Sequence, residues 1–281
     1  MNFGLKCFCG EDDYKLLFNT PFQHDLYHKV MQGKVLQCKK CGLARTYPLP
    51  FEDDATADIH QLSKVYEKPR IEGLLEKGII TSNDAITISY IRKFKKEGKL
   101  LDIGCGSGHF MGICNRMGFD SEGVEVDKFR ADYAIKKLKL KVYKTDFISA
   151  RIPDKNYDLI TVIHVLEHVV SLKPFLEQAR KKLEKNGVII ISLPNFGGLM
   201  PKLLKGKWYG LQLDGHVWQF TPGSLRKVIE DSGFKVISTE IKSLDHSSSN
   251  KIMNYLKKAL FGLVELTGMG DNLFMAAVRK D

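Results

Sequence analysis

The sequence predicts an α/β fold built on a mostly parallel sheet of seven strands, with helices on both faces. Two observations lead to this prediction. Apolar runs alternate with helical patterns from residue 99 to residue 193, which is typical of βαβ units. The chain has 281 residues, of which 43% are hydrophobic, enough for one sizeable core and a small appended segment.

The seven strands follow from short apolar runs bounded by turn residues, at 99–103, 121–126, 141–143, 157–163, 188–193, 234–241 and 273–279. Apolar residues at helical spacing predict helices over 63–77, 84–96, 109–117, 128–138, 224–231 and 251–266. The last of these could be a lid, a dimer contact, a membrane-surface helix or an ordinary core-covering helix.

Capping residues mark two of the helix boundaries. Ser171 is a predicted N-cap for a helix that closes at Asn186-Gly187. Thr221 and Pro222 provide the cap and the first position of the helix over 224–231. Residues 195–220 are too irregular for one element, and residues 245–250 form a predicted polar loop.

Charge and hydropathy exclude some functional classes. The net charge of +10 is distributed over the whole chain, so a dedicated nucleic-acid surface is not favoured. The first ten residues lack the charged start and apolar stretch of a signal peptide. No apolar run approaches the length that spans a bilayer. We therefore expect a cytoplasmic protein.

A glycine-rich turn between the first core strand and its helix predicts a nucleotide site, with the sequence Leu101-Asp102-Ile103-Gly104-Cys105-Gly106-Ser107-Gly108. Glycine permits a tight turn and lets a ligand approach the backbone. Glu125 closes the next strand, where a carboxylate can accept both ribose hydroxyls of a nucleoside. The spacing between Gly108 and Glu125 is also close to that of dinucleotide-binding folds, so these residues alone leave NAD open.

The turn resembles the first motif of Rossmann-type (class I) S-adenosylmethionine-dependent methyltransferases, whose E/D-x-G-x-G-x-G differs from the GxGxxG of NAD enzymes. Three later segments are similar to the next motifs of that family, in the right order: Gly123-Val124-Glu125-Val126-Asp127, Thr145-Asp146-Phe147, and Tyr157-Asp158-Leu159-Ile160 through His164-Val165-Leu166-Glu167-His168. The resemblance covers about residues 99–240, and it implies a Rossmann-like sheet and S-adenosylmethionine as the cofactor.

The resemblance also implies roles for individual residues. Glu125 would hold the ribose, Asp146 would meet the adenine amino group, and residues 164–168 would lie beneath the methionine moiety. The full set of cofactor-binding residues that it implies is Asp102, Gly104, Cys105, Gly106, Gly108, Glu125, Val126, Asp146, Phe147, His164 and Val165.

Two histidines are candidates for the chemistry of methyl transfer. Transfer to a hydroxyl requires alignment with the methyl group and removal of a proton, a task that suits histidine near neutral pH. His168 follows the fourth strand, and His216 lies among aromatic residues after the fifth. Both predicted positions are on the side of a parallel sheet where ligands bind, although either ring could instead be structural.

Four cysteines near the N-terminus predict a structural zinc site. Cys38 and Cys41 form a CxxCG knuckle, and Cys7 and Cys9 form a shorter CxCG version, with 28 residues between the two pairs. Four thiolates in two close pairs can enclose a tetrahedral zinc ion, with free buried thiols as the alternative. This segment resembles the zinc ribbon found on a subset of these methyltransferases.

The sequence thus predicts a zinc-ribbon-like segment over 1–60 and a methyltransferase domain over 61–281, with a substrate-facing insertion at about 195–222 and a helical lid at about 246–268. The predicted reaction is O-methylation of a small polar acceptor, such as a sugar or surface-glycan precursor. An RNA methyltransferase is one alternative, since zinc ribbons also precede this fold in RNA-modifying enzymes. A non-catalytic subunit that retains the cofactor is another.

Overall fold

The computed structural model describes residues 5–24, 29–49, 79–243, 264 and 267–280. The helices predicted over 63–77 and 251–266 and the polar loop over 245–250 lie outside these ranges, except for residue 264. Two sheets are present in the described ranges, one large and mixed, the other small and antiparallel. None of the helices described is long and apolar enough to cross a membrane.

The strands in chain order are β1 (Tyr14–His24), β2 (Lys29–Cys38), β3 (Ala44–Tyr47), β4 (Gly98–Ile103), β5 (Phe119–Glu125), β6 (Lys141–Lys144), β7 (Tyr157–Ile163), β8 (Leu183–Pro194), β9 (Trp218–Gln219), β10 (Phe234–Lys242) and β11 (Asn272–Arg279). The helices are α1 (Ser82–Ile91), α2 (His109–Arg116), α3 (Lys128–Lys136), α4 (Leu172–Lys182), α5 (Leu199–Leu204) and α6 (Pro222–Asp231). One 3₁₀ turn, Leu166–His168, follows β7, and a second, Lys205–Lys207, follows α5.

The large sheet confirms the predicted seven-stranded, mostly parallel arrangement. Its order is β10-β11-β8-β7-β4-β5-β6, and β11 alone runs antiparallel to its neighbours. The strands that follow β4 first extend to one side of it and then to the other. In open α/β sheets, ligands bind in the crevice beyond the carboxyl ends of the strands at such a switch point.

Helices cover both faces of this sheet, because alternate residues of each strand point to opposite sides. Ile191 of β8 belongs to a core shared with α4 and α6. Its neighbour Ile190 belongs to a second core shared with α1 and α2. Both isoleucines are fully buried, as expected for a parallel strand covered on both faces.

The small sheet joins the N-terminal segment to the larger domain. Its order is β1-β2-β3-β9, and β9 belongs to the stretch that follows β8. The Thr46 hydroxyl donates to the carbonyl of His216 at 2.6 Å, and the Thr46 amide donates to the carbonyl of Val217 at 2.9 Å. Leu36 and Leu43 share a hydrophobic core with Val217. The position of His216 is therefore tied to β3.

Two predicted helix ends are wrong. The helix predicted over 84–96 ends at Ile91, because the Phe94 amide bonds to the Ile91 carbonyl in a tighter turn. The helix predicted to close at Asn186-Gly187 ends at Lys182, since Leu183 is fully buried and pairs with Tyr157 of β7. Tertiary pairing outweighs helical spacing there.

Candidate functional site

The glycine-rich turn lies directly after β4, at the switch point. Gly104, Gly106 and Gly108 have φ values of 75°, 55° and 80°, in the left-handed region that costs other residues roughly 1–2 kcal/mol. A side chain at Gly104 would also clash with Val165. A Cβ added at Gly106 would meet no atom within 4 Å, so the turn is open at this point.

Glu125, the last residue of β5, holds the turn from the neighbouring strand. Its Oε2 accepts a hydrogen bond from the Gly106 amide at 2.8 Å, and its Oε1 accepts one from the Asp127 amide at 2.8 Å. Burial raises the pKa of this carboxyl. Since each carboxylate oxygen has two lone pairs, both oxygens can still accept hydroxyl donors.

A cavity of about 250 Å³ opens beside the turn. We call it the apolar cavity, because most of its wall is aliphatic or aromatic. The rings of Phe147 and Phe175 lie 5.0 Å apart in an edge-to-face arrangement beside it. Its lining residues are Ile103, Gly104, Val124, Glu125, Val126, Thr145, Asp146, Phe147, Ile148, Val165, His168, Val169, Val170, Ser171 and Phe175.

A second cavity of about 200 Å³ adjoins the first, and we call it the polar cavity. His168 lines both cavities, so it is common to their two walls. The lining residues of the polar cavity are His164, Glu167, His168, Pro194, Tyr209, Gly210, Gln212, His216, Asp271 and Asn272.

The rings of His168 and His216 meet edge to face in the polar cavity, with their centroids 4.6 Å apart. Nδ1 of His168 lies 3.0 Å from the Gly215 carbonyl, and Nδ1 of His216 lies 3.0 Å from the Gly210 carbonyl. Because a carbonyl only accepts, Nδ1 is the protonated nitrogen in both contacts. In the neutral rings, Nε2 is therefore unprotonated and able to bind a proton or a metal ion.

Glu167 lies next to these rings and is only 2% exposed. Its Oε1 is 3.4 Å from Nδ1 of His164. Burial alone would raise the pKa of Glu167, but the His164 contact and the charges of the neighbouring histidines lower it to about 2. Burial also lowers the pKa of His216 to about 3, so that ring is neutral near pH 7. It carries a positive charge that can stabilise the ionised Glu167 only in acid.

Comparison with known proteins identifies the reaction class. A family described as a methyltransferase domain matches residues 84–239, more than half of the chain. The chain belongs to this methyltransferase family. Together with its sheet order, this makes it a class I S-adenosylmethionine-dependent methyltransferase.

Curated relatives of this methyltransferase include two named ubiquinone biosynthesis O-methyltransferase. The Pelagibacter ubique protein is 28% identical over 190 residues, which cover 58% of this chain and 76% of the relative. The Rickettsia bellii protein is 22% identical over 219 residues, which cover 67% of this chain and 90% of the relative.

Two solved structures share the fold. A SAM-dependent methyltransferase from Archaeoglobus fulgidus, 23% identical, gives a TM-score of 0.55 over 77% of this chain and 99% of its own. A possible histamine N-methyltransferase from Thermotoga maritima, 16% identical, gives a TM-score of 0.58 over 81% of this chain and all of its own.

The predicted cofactor-binding residues of the methyltransferase divide into three groups. Those that line the apolar cavity are Gly104, Glu125, Val126, Asp146, Phe147 and Val165. Asp102, Cys105, Gly106 and Gly108 lie in or beneath the turn and are not part of that wall. His164 lines the polar cavity instead of the apolar cavity. The role of each residue stays a prediction.

Asp102 is buried beneath the turn, where its Oδ1 accepts a hydrogen bond from the Thr161 hydroxyl at 2.7 Å. Burial raises the pKa of Asp102 to about 7; the Thr161 hydrogen bond opposes this rise, and the charge of Glu125 adds to it. In an unfolded chain an aspartate titrates near pH 4. The folded protein therefore binds more protons than the unfolded chain between about pH 4 and about pH 7.

This difference predicts a pH-dependent stability. The contribution of Asp102 is present in full below about pH 4 and is lost as the pH rises through about 7, with a slope of at most about 1.4 kcal/mol per pH unit. In urea titrations of the ligand-free protein across that window, Asp102→Asn should lose less unfolding free energy per pH unit than wild type. Identical pH slopes for the two proteins would show that Asp102 is ionised in both states.

The predicted cysteine cluster is brought together at one end of the small sheet. The sulfurs of Cys7 and Cys41 lie 3.5 Å apart, those of Cys9 and Cys38 lie 3.7 Å apart, and all four lie within 4.8 Å of one another. Both pairs are too far apart for disulfides. Four sulfurs bound to one zinc ion at about 2.3 Å lie about 3.8 Å from one another, so the donor set fits zinc.

The backbone around the cluster also fits a metal-thiolate site. Gly10 and Gly42, which follow the two knuckles, have φ values of 86° and 75° and allow the chain to turn back. Burial raises the pKa of Cys7 to about 11 and also raises that of Cys41. At Cys38, the backbone amides of Cys41 and Lys40 outweigh burial and lower the pKa. A bound cation would favour the thiolate at all of these positions.

Glu167 is the main site residue that the sequence prediction missed. It stands in the predicted loop over 164–168, directly before His168. A carboxylate beside a histidine at the end of a central strand could have indicated a functional residue from the sequence alone. The burial of this carboxylate and its proximity to His216 depend on the tertiary fold.

Proposed function

We propose that this methyltransferase transfers a methyl group from S-adenosylmethionine to a hydroxyl of a small acceptor bound in the polar cavity. The observation that carries the proposal is the position of His168, a residue that lines both cavities. With the cofactor in the apolar cavity, its methyl group would be transferred across this boundary. Methyl transfer from a sulfonium requires in-line alignment of the two reactants, which two adjoining cavities can provide.

The histidines of the polar cavity suit the removal of the hydroxyl proton. We propose His168 and His216 as the catalytic residues, since both present an unprotonated Nε2 when neutral. Such a nitrogen can accept the proton directly, or it can hold an ion that acidifies the hydroxyl. With a pKa of about 3, His216 is neutral near pH 7, which suits the binding of an ion but makes its ring a weak proton acceptor, so His168 is the better candidate for the direct route.

The identity of the acceptor has two sources of support that point in different directions. The polar lining of the cavity favours a small polar acceptor, in line with the sugar or surface-glycan precursor predicted from the sequence. The names of the relatives assign them to ubiquinone biosynthesis, which favours a different acceptor and supports O-methylation. We give the relatives more weight for the hydroxyl chemistry and treat the two acceptor classes as alternatives in one experiment.

A labelled-methyl assay tests the proposed function. Purified protein and radiolabelled S-adenosylmethionine are incubated separately with a catechol, a nucleotide-sugar mixture, total RNA and total protein. Label in the catechol or nucleotide-sugar pool supports the proposal and identifies the acceptor class. Label in RNA alone would establish the RNA methyltransferase alternative. Calorimetric binding of the cofactor with no transfer to a whole-cell extract would identify a non-catalytic subunit.

We also propose that Glu125 accepts both ribose hydroxyls of the cofactor. Glutamine in its place offers one accepting oxygen instead of two and carries no charge. Hydrogen bonds to a charged group contribute about 1.5–3 kcal/mol each, so Glu125→Gln should weaken S-adenosylmethionine binding by about 100-fold. Isothermal calorimetry measures this change directly.

Glu122→Gln is the matched control for this substitution. Glu122 lies on the same strand, but its carboxylate accepts hydrogen bonds from Tyr143 and Tyr157, away from the turn. The control should bind the cofactor with wild-type affinity. Equal affinities for wild type and Glu125→Gln would contradict the ribose assignment.

Finally, we propose that Cys7, Cys9, Cys38 and Cys41 bind a structural zinc ion. The proposal is supported by the sulfur separations, which match those of a tetrahedral thiolate site. It is also supported by the two glycine-terminated knuckles. The ion would hold the start of β1 to the turn between β2 and β3.

A further inference from the structure

The polar cavity is lined by Glu167, whose carboxylate is buried. Both side-chain oxygens of Glu167 are inaccessible, and neither has a hydrogen-bond partner among the residues that the structure describes. The His164 ring is in contact with this carboxylate, since Nδ1 of His164 lies 3.4 Å from Oε1 of Glu167. Buried carboxylates are usually fully hydrogen-bonded or coordinate a metal ion.

Two imidazole nitrogens lie close to this carboxylate. One potential ligand atom from each of Glu167, His168 and His216 is within 4.8 Å of the other two. The backbone fixes this group, because the Val217 amide donates to the Glu167 carbonyl at 2.8 Å. The 3₁₀ turn that carries Glu167 and His168 is thereby attached to the segment that carries His216.

Both histidines are oriented as metal ligands are. Ligating histidines usually donate their second ring nitrogen to a carbonyl or carboxylate, which fixes the tautomer and the ring orientation. His168 donates from Nδ1 to the carbonyl of Gly215, and His216 donates from Nδ1 to the carbonyl of Gly210.

We propose that Glu167, His168 and His216 bind a divalent transition-metal ion in the polar cavity. Two imidazoles and one carboxylate suit Zn²⁺, Mn²⁺, Fe²⁺, Co²⁺ or Ni²⁺, and three protein ligands leave positions for an acceptor oxygen or water. This inference rests on the proposed function for the role of the ion, although binding of the ion can be measured without methyl transfer.

The role follows from where the ion would lie. An acceptor hydroxyl bound to the ion has a lowered pKa and releases its proton to water. The resulting oxyanion forms a bond to the methyl carbon as the carbon–sulfur bond breaks, and the bonding pair stays on sulfur. The products are the methyl ether and S-adenosylhomocysteine. The histidines then act as ligands, and neither of them needs to accept the proton.

Cobalt binding tests the proposal while distinguishing this site from the cysteine cluster. The probe is Co²⁺ added to protein that carries a single equivalent of zinc, held by the four thiolates of the cysteine cluster, followed by calorimetry and by visible absorption. We expect one equivalent to bind to the wild type, with ligand-field bands but without the intense thiolate charge-transfer band of a cysteine site. Glu167→Gln and His216→Asn should each weaken this binding at least 100-fold.

His109→Gln is the matched control, because His109 also contacts a carboxylate, that of Asp84 at 3.0 Å, and lies outside the cluster. It should bind Co²⁺ as the wild type does. Thermal melting with and without Co²⁺ shows whether a variant has lost the metal site or has failed to fold. A folded Glu167→Gln protein should melt at the same temperature in both conditions. Absence of Co²⁺ binding to the wild type, or equal binding to all variants, overturns the metal site and leaves the labelled-methyl result unaffected.

Discussion

Replacing His168 with Asn should lower kcat for methyl transfer by about 10²–10⁴-fold, whether its Nε2 accepts the hydroxyl proton or binds an ion. Asparagine can still donate a hydrogen bond to the Gly215 carbonyl that His168 contacts at 3.0 Å. It removes Nε2 from a residue that lines both cavities. Steady-state kinetics with the acceptor identified in the labelled-methyl assay measures the effect.

His216→Asn should produce a loss of similar size, and the two losses should not add. The rings are in contact, with centroids 4.6 Å apart, so the two histidines should act as one catalytic unit. We therefore expect the kcat of the double variant to be no lower than that of the slower single variant. Cofactor affinity, measured by calorimetry, should change little in His216→Asn because His216 lines only the polar cavity. If both variants retain wild-type kcat, the catalytic assignment is wrong.

Gln219→Ala is a useful control for the histidine variants. Gln219 is buried in the same segment, and its side chain donates to the Leu211 carbonyl at 3.1 Å, yet it lines neither cavity. A cost in stability with unchanged kcat is expected for this variant. Comparison of its melting temperature and kcat with those of His216→Asn shows whether the His216 variant loses activity through its missing imidazole or through disturbed packing.

The sequence pattern predicted the parts of the fold that depend on local signals. The alternation of apolar runs and helical spacing identified all seven strands of the large sheet, and Thr221 caps α6 as expected, its hydroxyl accepting from the Ser224 amide. The prediction failed where distant pairing decides the structure. Leu183 continues an apolar helical pattern, but it enters β8 because Tyr157 of β7 pairs with it.

The small sheet was also only partly predictable, because its pairing joins distant parts of the chain. The cysteine spacing predicted a zinc-ribbon-like segment, but not that Trp218 and Gln219 would complete its sheet. These two residues lie more than 170 positions after β3, so no local pattern links them. The polar cavity was only partly predictable for the same reason: His168 and His216 were identified by residue type, whereas Glu167 becomes notable through burial.

Removing the proposed zinc ion should lower both the melting temperature and kcat. Cys38 is only 1% exposed, and its sulfur is 3.7 Å from that of Cys9. Cys38→Ser should abolish zinc binding at this cluster, and the melting temperature should fall by several degrees or more, because a structural zinc ion contributes directly to folding free energy.

The expected loss of catalysis follows from the hydrogen bonds of β3. Thr46 bonds to the carbonyls of both His216 and Val217, and the Arg45 guanidinium stacks 5.0 Å from the Trp218 ring centroid. A loosened small sheet therefore releases the segment that positions His216. The apolar cavity is built on the large sheet, so we expect kcat to fall at least 10-fold while S-adenosylmethionine affinity changes less than about 3-fold.

Cys114→Ser is the matched control, because Cys114 is also 1% exposed but lies in the core beside α1, away from the cluster. It should lose stability through packing and retain its zinc, as measured by elemental analysis and by the thiolate charge-transfer band of the cobalt-substituted protein. A wild-type protein without cysteine-bound metal would contradict the zinc proposal. A zinc-free Cys38→Ser protein with normal kcat would instead show that the small sheet holds His216 without the ion.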